Sequence, residues 1–417
     1  MTTLAHIVLA VLWLLGLWVV ARLLDGGPRA ADRLRDMLAI GTAIPLVLGF
    51  LHLLRWPFLW LALFACVAGA YVRAVRPPKH RSHLRAEPRF AEPVPYLLLA
   101  ALALAACAPA ISAHAVAWGA PQLFARALSA IAAPGAAAWS GLGALSLLGL
   151  RLYAWAREGA ALPTRLADAL AAATVCIFPL ALFGRPLQSD VWLAAFFVEV
   201  LWSAPVDDLT VLRSAAMCAL VTPFGWLYAS VGLAASRARA RAWIAAGIAI
   251  AIWALHGAIL WHGALAPHWG VEIVHAFRAH AFTHAGAALR FGFAGAVRFA
   301  PLGLLFVLAA FASPALTREA PLRFAAIGAA LVALFVQSAF DPAMVAGALV
   351  LAPPALRYAR LALILLVVAF GGEALRMLLS YREGAFVVLA LVAAIVTPVG
   401  IGYLRRFMKQ RVSLQPS

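Results

Sequence analysis

Apolar runs close to twenty residues long alternate along the whole chain with short polar or arginine-bearing stretches. A helix needs about 20 apolar residues to cross a bilayer. The runs that meet or approach this length are 4–24, 37–54, 56–75, 95–117, 136–155, 167–184, 211–235, 243–262, 287–312, 324–340, 342–357, 361–380 and 385–404. The pattern predicts an all-α, polytopic integral membrane protein with 12 to 14 transmembrane helices in a single domain over 1–417. The first run, Ala5 to Leu24, lacks a basic leader and a small-residue cleavage site, and reads as a retained helix.

Two stretches fit the alternation poorly and predict one or two re-entrant or interfacial helices. Val191 to Trp202 is apolar but short, carries Glu199, and is bounded by Asp190 on one side and by Asp207 and Asp208 on the other. Residues 118–135 hold Pro121, Pro134 and Gly135 and read as a second such element or a tightly packed extra span.

Orientation follows from the lysine and arginine bias. Arg73, Arg76, Lys79, Arg81, Arg85 and Arg89 crowd the end of the third run and the loop after it. Further groups mark 151–166, 236–242 and the C-terminal tail. Taking these as cytoplasmic predicts an inner-membrane protein with a cytoplasmic C-terminus, and alternation puts 185–210 and 263–286 on the outer face.

Composition sharpens this picture without changing it. The chain is 65% hydrophobic and 12% charged, whereas soluble domains carry about a quarter charged residues. The formal charge of +17 resides in short loops between apolar runs. Anionic lipid headgroups explain it better than nucleic acid, for which no basic domain or groove-reading motif is present. Cys66, Cys107, Cys176 and Cys218 all lie in apolar runs without CxxC spacing and read as buried hydrophobes.

Histidines are concentrated in one place. His256, His262, His268, His275, His280 and His284 put six of the eleven in 29 residues. On a helix His268, Glu272 and His275 share one side, but no second Glu-x-x-His exists to complete a di-iron set. An amphipathic interfacial helix is the preferred reading; no metal site is assigned and the residues identify no cofactor.

An internal echo links 185–235 with 263–312. In each, an arginine (Arg213, Arg290) precedes a Pro-x-Gly kink (Pro223 and Gly225; Pro301 and Gly303) by ten or eleven residues. The second copy, Val297-Arg298-Phe299-Ala300-Pro301-Leu302-Gly303-Leu304-Leu305, resembles the Pro-Leu-Gly helix of VanZ-like membrane proteins. Phe335-Val336-Gln337-Ser338-Ala339-Phe340-Asp341-Pro342 occupies the place of that family's later polar helix, without its glutamate. The resemblance implies a link to cell-envelope glycans or lipids.

Ionisable groups at membrane depth are costly and mark function by default. The acids and histidines expected on the outer face supply acid/base candidates: Asp190, Glu199, Asp207, Asp208 and His275. Arg185, Arg213, Arg290, Arg298, His262, His268 and Glu373 are candidate substrate-binding residues, the arginines for phosphate. Helix N-capping is the simpler account of Asp207-Asp208, and an intrahelical pair with Arg376 that of Glu373. No P-loop, serine elbow or zincin motif occurs.

The reading favoured is a protein that binds or acts on an envelope lipid or polyprenyl-linked glycan through an outward-facing polar cavity. Its partners would be membrane lipids, a lipid-linked glycan or other envelope-complex subunits. A secondary transporter or flippase, and a non-catalytic assembly scaffold, are the alternatives.

Overall fold

The first apolar run forms one uninterrupted helix because nothing in it breaks the backbone ladder. In the computed structural model the described residues are 3–25, 30–75, 119–131, 141–154, 187–203 and 208–221, with isolated positions at 171, 225, 228–230, 233, 240, 243–244, 247–248 and 251. Regular structure among them is helical, without strands. The continuous helices are α1 (Thr3–Asp25), α2 (Ala30–Phe50), α3 (Trp56–Val75), α4 (Ala120–Ile131), α5 (Gly141–Ala154), α6 (Leu187–Ser203) and α7 (Asp208–Val221).

Helices α1 and α3 follow the expected runs closely, and each contains a window long and apolar enough to cross a membrane, Ala5–Leu24 and Trp56–Val75. Helix α2 departs from expectation, since it starts at Ala30 rather than at 37. Its opening turns carry Asp32, Arg33, Arg35 and Asp36, ahead of the apolar run that begins at 37. Asp32 favours the helix N-terminus through the backbone dipole. Arg35 reaches both acids within the helix, so these charges do not break it.

Helix α2 ends in a compact C-cap. The Leu53 N–H donates to the Leu48 carbonyl at 2.8 Å and the His52 N–H to Gly49 at 3.0 Å. His52 takes a left-handed conformation at φ 55°. This is the paired six-to-one and five-to-two bonding that reverses a chain in few residues. It turns α2 directly into α3, so α1, α2 and α3 run alternately up, down and up.

The two stretches that fit the alternation poorly are both helical. Residues Val191–Trp202 lie within a longer helix: α6 extends over Leu187–Ser203, and every side chain from Val191 to Val200 is buried. A helix apolar all round is stable when neighbours surround it, and α5 and α7 pack directly against α6. The 118–135 element is a helix of 12 residues, about 18 Å long and too short to span a bilayer. Ala120, Leu123, Phe124, Ala127, Leu128 and Ile131 form one buried stripe on it at helical spacing.

An aromatic chain joins these layers. Trp13 of α1 meets Phe124 of α4 with centroids 5.8 Å apart, and Phe124 meets Trp192 of α6 at 5.5 Å. Small residues allow the helices to approach here. A Cβ at Gly41 would run into the Phe124 ring and Leu17, and one at Gly143 into Leu38. The runs expected at 95–117, 167–184, 243–262 and from 287 onward lie outside the described residues apart from isolated positions, as does most of the 185–235 and 263–312 echo.

Gly41→Ala is therefore expected to lower stability by about 1–3 kcal/mol through overpacking. Gly69→Ala, whose Cβ meets nothing within 4 Å, should be neutral or stabilising by up to about 1 kcal/mol. Thermal unfolding of the purified variants checks both.

Candidate functional site: a buried ionic network

Six charged side chains from four helices meet at one end of this bundle. The Arg151 guanidinium of α5 grips Glu199 of α6 with two hydrogen bonds, Nε to Oε1 at 2.5 Å and Nη2 to Oε2 at 2.9 Å. Its Nη2 also donates to Asp32 Oδ1 of α2 at 2.8 Å. Arg35 lies within α2 one turn on. It donates from Nε to Asp36 Oδ1 at 2.8 Å and from Nη1 to Asp32 Oδ1 at 3.3 Å, and Nη1 is 3.8 Å from Glu199. Arg213 of α7 closes the series, with Nη1 3.8 Å from Asp36 Oδ2.

Glu199, Arg151, Asp32, Arg35, Asp36 and Arg213 thus alternate in sign and sum to zero. Arg151 and Glu199 are fully buried, and Arg35 and Asp36 nearly so, while the Arg213 side chain keeps 34% of its surface exposed.

The helices dictate this convergence. Asp32, Arg35 and Asp36 recur at i, i+3 and i+4, so they share one side of α2. Helix α5 runs antiparallel to α2: Gly143 lies against Leu38, and Arg151, two turns later, against Asp32. Glu199 follows Trp192 by seven residues, about 10 Å along α6, which carries it from the aromatic layer down to the ionic one.

This geometry corrects the sidedness expected for two candidates. Arg151 marks one predicted face and Glu199 the opposite one, yet they are in direct contact. Helix α6 therefore runs towards the end where α2 begins and α1 finishes with Arg22. Given the antiparallel succession of α1 to α3, Arg73 lies at that end too. Arg213, beside Asp36, belongs there as well, and Asp208 opens the helix that carries it. Alternation misleads here because it skips Val191–Trp202, whereas α6 runs the length of that segment and returns to the end that carries Arg151.

Both Glu199 oxygens accept N–H groups from one guanidinium, and these bonds tie α6 to α5. Asp190 and Asp208 are placed by backbone alone, in the first turns of α6 and α7. Arg185, Asp207, His262, His268, His275, Arg290, Arg298 and Glu373 lie outside the described residues, as does 289–342.

Four residues of the network escaped sequence reasoning: Asp32, Arg35, Asp36 and Arg151. The available signal was the spacing of 32, 35 and 36 beside an apolar run, together with an arginine four residues inside the end of another. Among the described residues no group of three or more His, Cys, Asp or Glu side chains could hold a metal ion. Compared with known proteins, the chain matches no described family, no curated relative and no solved structure.

Glu199→Gln removes the charge that Arg151 grips with two hydrogen bonds in an apolar interior. Removing one member of a buried pair costs about 3–5 kcal/mol, whereas replacing both by apolar groups is often neutral. The double variant Arg151→Leu/Glu199→Leu should accordingly recover stability that Glu199→Gln loses. A double-mutant cycle on the thermal midpoint reads the difference; additive losses would show that the pair is not coupled.

Proposed function

We propose that this chain is a polytopic inner-membrane protein with a cytoplasmic C-terminus, and that it binds or acts on a phosphate-bearing envelope lipid or polyprenyl-linked glycan. Arg213 would meet the phosphate at the accessible end of the buried network. The membrane assignment draws support from the surfaces of α1 and α3. Only 22% and 17% of their apolar windows is buried, and Ile7, Val11, Leu15, Leu61, Phe64 and Val72 are all exposed. Contiguous apolar surface of this kind is unfavourable in water and suits lipid.

The observation that carries the functional reading is an alternating ionic network enclosed by apolar helices with one accessible cationic end. Such networks contribute little net stability compared with apolar packing. At a membrane surface an accessible guanidinium faces lipid headgroups, and it presents the planar fork that matches phosphate oxygens. The Pro-Leu-Gly resemblance around 289–342 points towards the same envelope chemistry. Because Glu199 and Arg213 share the arginine-bearing end, this reading places the phosphate at the cytoplasmic leaflet rather than in an outward-facing cavity.

Two measurements test it. Protein purified with native lipid should retain anionic phospholipid or polyprenyl phosphate, quantified by mass spectrometry, and Arg213→Gln should reduce the retained amount several-fold; equal retention by both proteins would sink the reading. In a chain freed of native cysteines, Thr210→Cys should react with an impermeant thiol reagent from the same side as Arg73→Cys and from the side opposite Arg55→Cys. Labelling of Thr210→Cys together with Arg55→Cys would overturn the assigned sidedness.

A further inference from the structure

Arg33 is the charged residue of α2 that the network does not use. It is only 7% exposed, its Nε meets no hydrogen-bond acceptor, and none of the ion pairs among the described residues includes it. Successive helix residues are separated by about 100°, so Arg33 points roughly a quarter-turn away from the side shared by Asp32, Arg35 and Asp36. Asp32, the adjacent acid, is already held by Arg151 and Arg35.

A guanidinium does not escape burial by losing its proton, because arginine stays charged at any physiological pH. Burial without a counter-charge is strongly unfavourable. A bound anion would supply the missing counter-charge.

The surroundings favour an anion on a second, independent ground. Arg33 is the fourth residue of α2, whose first N–H groups have no acceptor within the helix and carry the positive end of its dipole. Helical side chains lean towards the N-terminus of their own helix, which directs the Arg33 guanidinium to that same end. Ala30 and Ala31, the opening residues, are buried and carry no side chain beyond Cβ. Backbone N–H groups and an arginine converging at a helix start are the elements of a phosphate cradle.

We infer that Arg33 and the N-terminus of α2 form a phosphate-binding subsite, separate from Arg213 and from the ionic network. The ligand is a phosphate group, carried by a lipid or free in solution. The slight remaining exposure of Arg33 is the route by which it is reached.

The test uses the full chain purified in a neutral detergent, with thermal midpoint as the readout and three probes: phosphatidylglycerol, inorganic phosphate, and diacylglycerol as a phosphate-free control. Phosphatidylglycerol should raise the midpoint by several degrees and diacylglycerol should not. Arg33→Gln should lose more than half of that rise. A rise reproduced by inorganic phosphate assigns the site to phosphate itself, whereas one given by phosphatidylglycerol alone assigns it to a lipid headgroup.

If Arg33→Gln does not fold, Arg33→Lys carries the test. It keeps the charge but not the planar fork, so several-fold more ligand should be needed for half of the rise. An identical response in wild type and variant overturns the subsite. Arg213→Gln separates the two proposals: a rise lost in Arg213→Gln but kept in Arg33→Gln overturns this subsite and leaves the Arg213 reading standing, while a rise kept in Arg213→Gln and lost in Arg33→Gln supports the subsite on its own.

Discussion

The burial of Arg151 against Glu199 and Asp32 is the constraint on which the arrangement of the bundle depends. Apolar side chains tolerate sliding and rotation, because any neighbouring hydrocarbon serves nearly as well. A buried guanidinium tolerates neither, since its N–H groups need acceptors in fixed directions and a displaced partner leaves an uncompensated charge. Helices α2, α5 and α6 are thereby fixed in register along their axes. The glycines at 41 and 143 and the aromatic chain from Trp13 to Trp192 set how closely they approach.

The two layers divide the work. The aromatic layer is shape-selective and supplies apolar burial, with Phe124 seated over Gly41. The ionic layer is direction-selective and adds little net stability. Its internal charge balance lets it sit beneath apolar residues, and its departures from balance are informative. Arg213 remains accessible at one edge of the network, and Arg33 stands apart from it altogether.

The sequence reveals composition and periodicity well and partnership poorly. Helices α1 and α3 are read almost to their ends because a continuous apolar run with no competing polar group has one outcome. The start of α2 precedes its apolar run because Arg35 pairs with both Asp32 and Asp36 on its own helix, a pairing that hydropathy does not register. Glu199 is recognised as an unusual acid in an apolar segment, but its partner is 48 residues away and no local pattern joins them. The same holds for the sidedness of Arg213, fixed by a contact with Asp36 rather than by the charge of its own loop.

The local pairs in α2 bear on how such a chain is made. Synthesis delivers the N-terminus first, so Asp32 and Asp36 emerge more than a hundred residues before Arg151 and Glu199. Arg35 sits within reach of both acids on its own helix, so neither waits unpartnered, although the three carry one negative charge between them. When α5 arrives, Arg151 adds its bonds to this cluster and offsets that charge, and Glu199 on α6 then meets a guanidinium already in place.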